Sequence, residues 1–233
     1  MNISYKNIGP LRALETDGDP NRGTIVLFHG FGANAADLAA LSQEIQLPGA
    51  PQPRWIFPEG ILTLDGSTRA EGGPRAWWHI DAAAVEQAMA TGTHRDLSGP
   101  PPEGMSEALA RAREFLAEVG ANQLVIGGFS QGAMISSRLA LLMPEAPAGL
   151  LLFSGNAIDV QTLEAGAANR AGLRFFQSHG TLDPILSLTG ARRLFDIFKA
   201  AGLKGDFHEF RGVHEIPRGA IEGAEKLLNE VLS

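Results

Sequence analysis

Leu124-Val125-Ile126-Gly127-Gly128-Phe129-Ser130-Gln131-Gly132 is the stretch that decides how this chain is read. A short apolar run of strand length ends in glycine and passes at once into a segment patterned as a helix, 131–143. Gly128, Ser130 and Gly132 sit on the join in a G-x-S-x-G spacing. Glycine and serine are common, so the spacing alone is weak; the strand before it and the helix after it give it meaning. A sharp strand-to-helix turn lifts a serine hydroxyl above a sheet. The flanking glycines are needed because the turn brings backbones too close for a Cβ. The helix start adds partial positive charge where an oxyanion would form. Ser130 is therefore the candidate nucleophile.

Outward from this turn the same rhythm repeats. Strands are expected at 24–28, 55–57, 124–126, Gly149–Phe153, 173–176 and 206–210. Helices are expected at 35–45 (with Asn34 as cap), Met105–Val119, 131–143, 188–201 and 221–231. In the second of these, Met105, Leu109, Ala112, Leu116 and Val119 keep helical spacing. Apolar strands alternating with amphipathic helices predict an α/β fold, a mostly parallel central sheet with helices on both faces. No repeat or linker divides the chain, so a single domain over 1–233 is expected. Two loops, 64–75 and 91–104, interrupt the rhythm and are placed at the rim of a substrate site or simply on the surface.

Composition narrows the chemistry. Hydrophobic residues make up 44%, enough for a large core, and the net charge of −7 argues against nucleic-acid or anionic-membrane partners. There is no cysteine, which removes a disulfide framework and a thiol nucleophile. The six histidines show no H-x-x-x-H or H-x-H spacing, so no metal site is expected. The first residues carry no apolar h-region and no run could span a bilayer, so the default reading is cytoplasmic, without integral membrane association. A homodimer is compatible with this composition.

A serine nucleophile needs a base and an orienting acid. Downstream of Ser130 the histidines are His179, His208 and His214. His208 falls inside a strand; His214 falls just past the last strand, where a loop carries an imidazole over the sheet. Asp183, in Ser178-His179-Gly180-Thr181-Leu182-Asp183-Pro184, is the preferred acid. Asp159, after the neighbouring strand, is its rival, and Asp196 reads as a mid-helix surface charge. His29-Gly30-Phe31-Gly32 follows the strand 24–28 and offers the Phe31 N–H to an oxyanion, beside the N–H of Gln131. His29 itself reads as structural, and Gln131 is expected to act through its backbone, not its side chain.

Together these blocks resemble the phospholipase/carboxylesterase family, which has the α/β-hydrolase fold and includes acyl-protein thioesterases and small bacterial carboxylesterases. The residues that carry the likeness are 27–34, Gly128-Phe129-Ser130-Gln131-Gly132, 178–184 and His214-Glu215-Ile216. The resemblance implies a Ser130-Asp183-His214 triad, Phe31 and Gln131 as oxyanion donors, and no cofactor. Two blocks depart from the family pattern: Ala133 stands where glycine is frequent, and Ala76-Trp77-Trp78-His79-Ile80-Asp81 where W-F-D is usual. Trp77 and Trp78 are read as walls of an acyl pocket, beside Ile61, Leu62 and Ile185, with burial in the core as the alternative.

The expected activity is a serine carboxylesterase acting on small-molecule esters or thioesters of small to medium acyl chains. The alternatives are a lysophospholipase, aryl-ester hydrolase or acyl-protein thioesterase with the same machinery, a non-catalytic hydrolase-fold binding protein, and a metal-dependent hydrolase.

Overall fold

A computed structural model describes residues 2–66 and 72–232. Along the chain run β1 (Ile3–Ile8), β2 (Leu11–Thr16), β3 (Asp19–Phe28), α1 (Leu41–Glu44), β4 (Pro53–Pro58), β5 (Leu62–Thr63) and β6 (Arg75–Ala76). Then follow α2 (Ala82–Ala90), α3 (Met105–Val119), β7 (Leu124–Phe129), α4 (Gln131–Leu142), β8 (Gly149–Phe153) and α5 (Val160–Ala167). The chain closes with β9 (Arg174–Gly180), α6 (Leu188–Ala200), β10 (Lys204–Phe210) and α7 (Arg218–Val231).

Eight strands form one sheet in the order β1-β2-β4-β3-β7-β8-β9-β10. From β4 to β10 every neighbouring pair is parallel; β1 and β2 add an antiparallel edge. The run Ile25-Val26-Leu27-Phe28 is buried throughout, as a central strand covered on both sides demands. Its side chains alternate between two cores. Val26 and Phe28 join Ile126, Leu150 and Leu152 under α3, α4, α5 and α6. Ile25 and Leu27 join Val125, Leu151 and Phe153 under residues 35–47 and α7. Helical cover on both faces of a mostly parallel sheet is the α/β-hydrolase arrangement.

Three features depart from expectation. The segment 35–45 is helical only over Leu41–Glu44; before that it winds through i→i+3 bonds such as Ala39 N–H to the Ala36 carbonyl. Side chains hold its start away from the helical path: Asn34 accepts from the Ala36 N–H at 2.9 Å and Glu59 from the Ala35 N–H at 3.2 Å. The apolar spacing was nonetheless informative, because Ala35, Leu38, Leu41 and Ile45 are all buried. Strands β1 and β2 and helices α2 and α5 carry patterns too short or too polar to have been singled out. The loop 64–75 is only partly described, since 67–71 lie outside the described residues. No helix of the described residues is long and apolar enough to cross a membrane.

Candidate active site

The carboxyl ends of the parallel strands, where ligands gather in open α/β sheets, are stitched together in sequence. The Ser130 N–H donates to the Phe153 carbonyl at the end of β8, and the Ser154 N–H to the Ser178 carbonyl on β9. The Thr181 and Leu182 N–H groups donate to Phe210 and Gly212 past β10. Four loops are thus drawn to one rim, and each carries a residue that the sequence singled out.

Ser130 sits at φ 56° and ψ −115°, a conformation that a side chain rarely adopts and that stores strain. The turn fits only because its neighbours are glycine: a Cβ on Gly128 or Gly132 would overlap the Phe28 carbonyl. Helix α4 starts at the next residue, so the Gln131 N–H lies in the first turn, where it has no intrahelical acceptor. The His29–Gly32 turn passes beside the serine; a Cβ built on Gly30 would meet Ser130 Cβ at 3.4 Å. Its Gly32 and Ala33 N–H groups are taken by the Arg75 and Gly30 carbonyls. Among the described residues the intervening Phe31 N–H donates to no protein acceptor, and the Phe31 ring is exposed.

His214 Nδ1 and Asp183 Oδ2 are 2.6 Å apart, a short charge-assisted hydrogen bond. The imidazole packs against Phe129, the residue before Ser130, with ring centroids 4.7 Å apart. Its loop is tied back through the Ser154 hydroxyl, which donates to the Glu215 carbonyl at 3.2 Å. Asp183 Oδ1 accepts from the Ile185 and Leu186 N–H groups at 2.8 and 3.0 Å. Burial would raise this carboxyl, but the hydrogen bond and charge of His214, with the two amides, hold it below the usual carboxylate range.

The rival acid lies elsewhere. Asp159 Oδ2 pairs with Arg138 Nη1 at 2.8 Å, and its Oδ1 accepts from the Thr162 hydroxyl. Burial again pushes upward, and the Arg138 and Thr162 bonds pull the carboxyl below its ordinary value. Asp196 and His208 remain on α6 and β10.

His29 is structural. Its Nδ1 donates to the Gly30 carbonyl at 2.7 Å, while Nε2 accepts from the Gly60 N–H at 2.9 Å, which fixes the neutral tautomer. Burial lowers its pKa to about 4, with the Gly30 bond raising it and the nearby Arg75 charge lowering it. The Trp77 indole N–H caps the His29 carbonyl at 3.0 Å, and its ring packs on Phe28.

This burial corrects the pocket expectation. Trp77 and Trp78 are 0% and 2% exposed and belong to the core, and Trp77 braces the His29–Gly32 turn through the His29 carbonyl. Ile61, Leu62 and Ile185 are half-buried. The side chain of Gln131 also does more than expected. It accepts from the Trp77 N–H and donates to the Trp78 carbonyl, both at 2.9 Å, as a rung that fastens the tryptophan segment to α4.

Two histidines not assigned to the site also converge on Asp183. His179 Nε2 donates to the Leu186 carbonyl at 3.0 Å and lies 3.4 Å from Asp183 Oδ2. Burial lowers its pKa first, and the charges of His214 and His94 lower it further, against the Leu186 bond and the Asp183 charge. His94, from the loop 91–104, reaches the Asp183 carbonyl with Nε2 at 2.9 Å. The S-H-G block hinted at the first; no local signal could announce the second, whose partner is 89 residues away.

Comparison with known proteins shows the family. The phospholipase/carboxylesterase family model matches residues 11–232. An acyl-protein thioesterase 1 of Kluyveromyces lactis is 26% identical over 220 residues, covering 88% of this chain and 90% of the relative. One from Eremothecium gossypii is 26% identical over 197 residues, covering 81% and 77%. The solved structure of esterase PE8 is similar in fold, with a TM-score of 0.76, 23% identity, and coverage of 99% of this chain and 100% of that one. The chain belongs to the phospholipase/carboxylesterase family of α/β-hydrolases and is a serine hydrolase of the esterase and thioesterase kind.

Proposed function

We propose that this enzyme hydrolyses carboxylic esters or thioesters of small to medium acyl chains through a Ser130-Asp183-His214 triad. The observation that carries the reading is the Asp183–His214 pair at 2.6 Å, held by its own loops at the rim that presents Ser130. His214 Nε2 takes the serine proton as Ser130 Oγ attacks the acyl carbon. The oxyanion so formed is met by the N–H groups of Phe31 and Gln131, each donor worth about 3–4 kcal/mol in reactions of this type. The carbonyl re-forms, the alkoxide or thiolate leaves with the proton from His214, and the acyl group remains on Ser130. Water, deprotonated by His214, then attacks the acyl-enzyme and releases the acid. Asp183 holds Nδ1–H and stabilises the imidazolium without taking its proton. Ile61, Leu62 and Ile185 offer half-buried apolar surface for the acyl chain.

The names of the two yeast relatives favour thioesters among the leaving groups. A panel of p-nitrophenyl esters of graded chain length, with acyl-CoA and lysophospholipid alongside, assigns substrate class. A fluorophosphonate should label Ser130 once, and Ser130→Ala should lose both labelling and turnover. Labelling at another serine, or turnover retained by the variant, would overturn the reading.

A further inference from the structure

The 94–98 segment, Asn156 and the start of α6 enclose a cavity of about 320 Å³ beside the loop that carries Asp183. His94, Arg95, Asn156, Ser187, Thr189 and Arg193 are among its walls. Two features of that cavity favour a negatively charged guest, and a third favours one that also carries a hydrogen-bond donor.

The first is fixed charge. Arg95 and Arg193 both line it, and among the described residues neither is within ion-pair distance of a carboxylate. Asp96 is the one acidic wall residue; it accepts from the Ser98 N–H at 2.9 Å, and the Arg193 charge helps hold it ionised. The walls therefore keep an excess of positive charge. Arg95 is half-buried, so its guanidinium is partly stripped of water.

The second is backbone polarity. Helix α6 runs for 13 residues, and Ser187 caps only its Gly190 N–H, at 3.0 Å. The Leu188 and Thr189 N–H groups belong to the unpaired first turn, at the positive end of the macrodipole.

The third is an orphaned side chain. Asn156 is 3% exposed and lines the cavity, and its Oδ1 has no partner among the described residues. Its amide is pressed against Gly190 so tightly that a Cβ there would overlap Nδ2. A buried amide oxygen without a donor is destabilising, and a ligand O–H would relieve that.

We infer that this cavity binds a small oxyanion that also carries a hydroxyl donor, the chemistry of a phosphate or phosphomonoester. Its oxygens would face Arg95, Arg193 and the first-turn amides, and its hydroxyl the Asn156 oxygen. The site is joined to the proposed triad by two short routes, one along the chain and one through a hydrogen bond. Ser187 is four residues from Asp183, and His94 holds the Asp183 carbonyl at 2.9 Å. A bound anion would therefore stiffen the loop that carries the acid.

The test is a titration of the ¹⁵N-labelled enzyme with inorganic phosphate at constant ionic strength, with chloride as control. It reads binding directly and is independent of the esterase assignment. Saturable shifts are expected at the Leu188 and Thr189 amides and the Asn156 side chain. Arg193→Gln and Arg95→Gln should each weaken binding about tenfold or more, and Asp96→Asn should tighten it. Arg193 is exposed, so its variant keeps the fold even where the Arg95 variant does not. Shifts that never saturate, that chloride reproduces, or that survive Arg193→Gln unchanged would overturn the inference. Kinetics then separates the sources of the anion. If substrate brings it, Arg193→Gln raises KM for a phosphate-bearing ester and leaves a neutral ester alone. If it is a free ion, added phosphate changes kcat for the neutral ester in the wild type and not in the variant.

Discussion

Asp159 and Asp183 follow neighbouring strands of one sheet, are 7% and 5% exposed, and both have their carboxyls held below the usual range. What separates them is the partner. Asp159 faces Arg138, a charge that does not come and go near neutral pH, so that pair can only hold α4 to the start of α5. Asp183 faces His214, which can gain and lose a proton while the carboxylate stays in place. Burial and a lowered pKa therefore do not by themselves separate the two acids; the chemistry of the partner does.

The comparison breaks most visibly at Asp183. Asp183→Asn should lower kcat by about 10⁴-fold with an unchanged circular dichroism spectrum, because the amide no longer orients or stabilises the imidazolium. If Asp159→Asn does this instead, the assignment is reversed.

Asp159→Asn should act on stability. It leaves the Arg138 guanidinium, 5% exposed, without its counter-charge. Urea unfolding should show a loss of about 3–5 kcal/mol. Turnover at a temperature where the variant is folded should stay within about threefold of wild type.

His29 supplies a buried histidine with no carboxylate bonded to it. Its folded pKa of about 4 lies below the unfolded 6.5, so the unfolded chain binds more protons between those values. The contribution to stability is thus complete above pH 6.5 and is lost as pH falls toward 4, to a total of about 3 kcal/mol. The lowered Asp159 and Asp183 act later, below their ordinary 3.8. Urea midpoints of wild type and His29→Gln should therefore converge between pH 6.5 and 4. Parallel curves would show that His29 does not titrate with folding.

The smallest effect is expected at Gln131. Gln131→Ala keeps the backbone donor but leaves the buried Trp77 N–H and Trp78 carbonyl unpaired, at a cost of about 1–3 kcal/mol of stability. Given the tryptophan segment's support of the His29 turn, kcat should fall by roughly tenfold or less, against 10²–10³ for a lost oxyanion donor. A folded variant slowed a thousandfold would place the side chain in the reaction itself.

Much of this architecture is legible in the sequence. The strand, turn and helix around Ser130 are local, and their backbone path follows from the residues in it, so pattern and geometry coincide there. Apolar spacing also placed the main strands and α3. It failed at 35–45, where two side-chain acceptors outcompete helical bonding at the start of a segment whose burial pattern is nonetheless helical. It also failed wherever a residue's role depends on a distant partner. Gln131 meets the tryptophans across 54 and 53 residues, and His94 meets Asp183 across 89. Trp77 shows the same limit from the other side: aromatic and close to a motif, it looked like a pocket wall and proved to be a beam.

The stitching of one strand end to the next has a consequence for synthesis. Ser130 depends on a carbonyl at Phe153, Ser154 on one at Ser178, Thr181 on one at Phe210, and the imidazole comes after the last strand. A ribosome that has released only the first two thirds of this chain has made Ser130 but neither Asp183 nor His214. Long-range pairings of this kind form late. On the proposed triad, the nascent polypeptide gains its acid and base only with the last third of the chain.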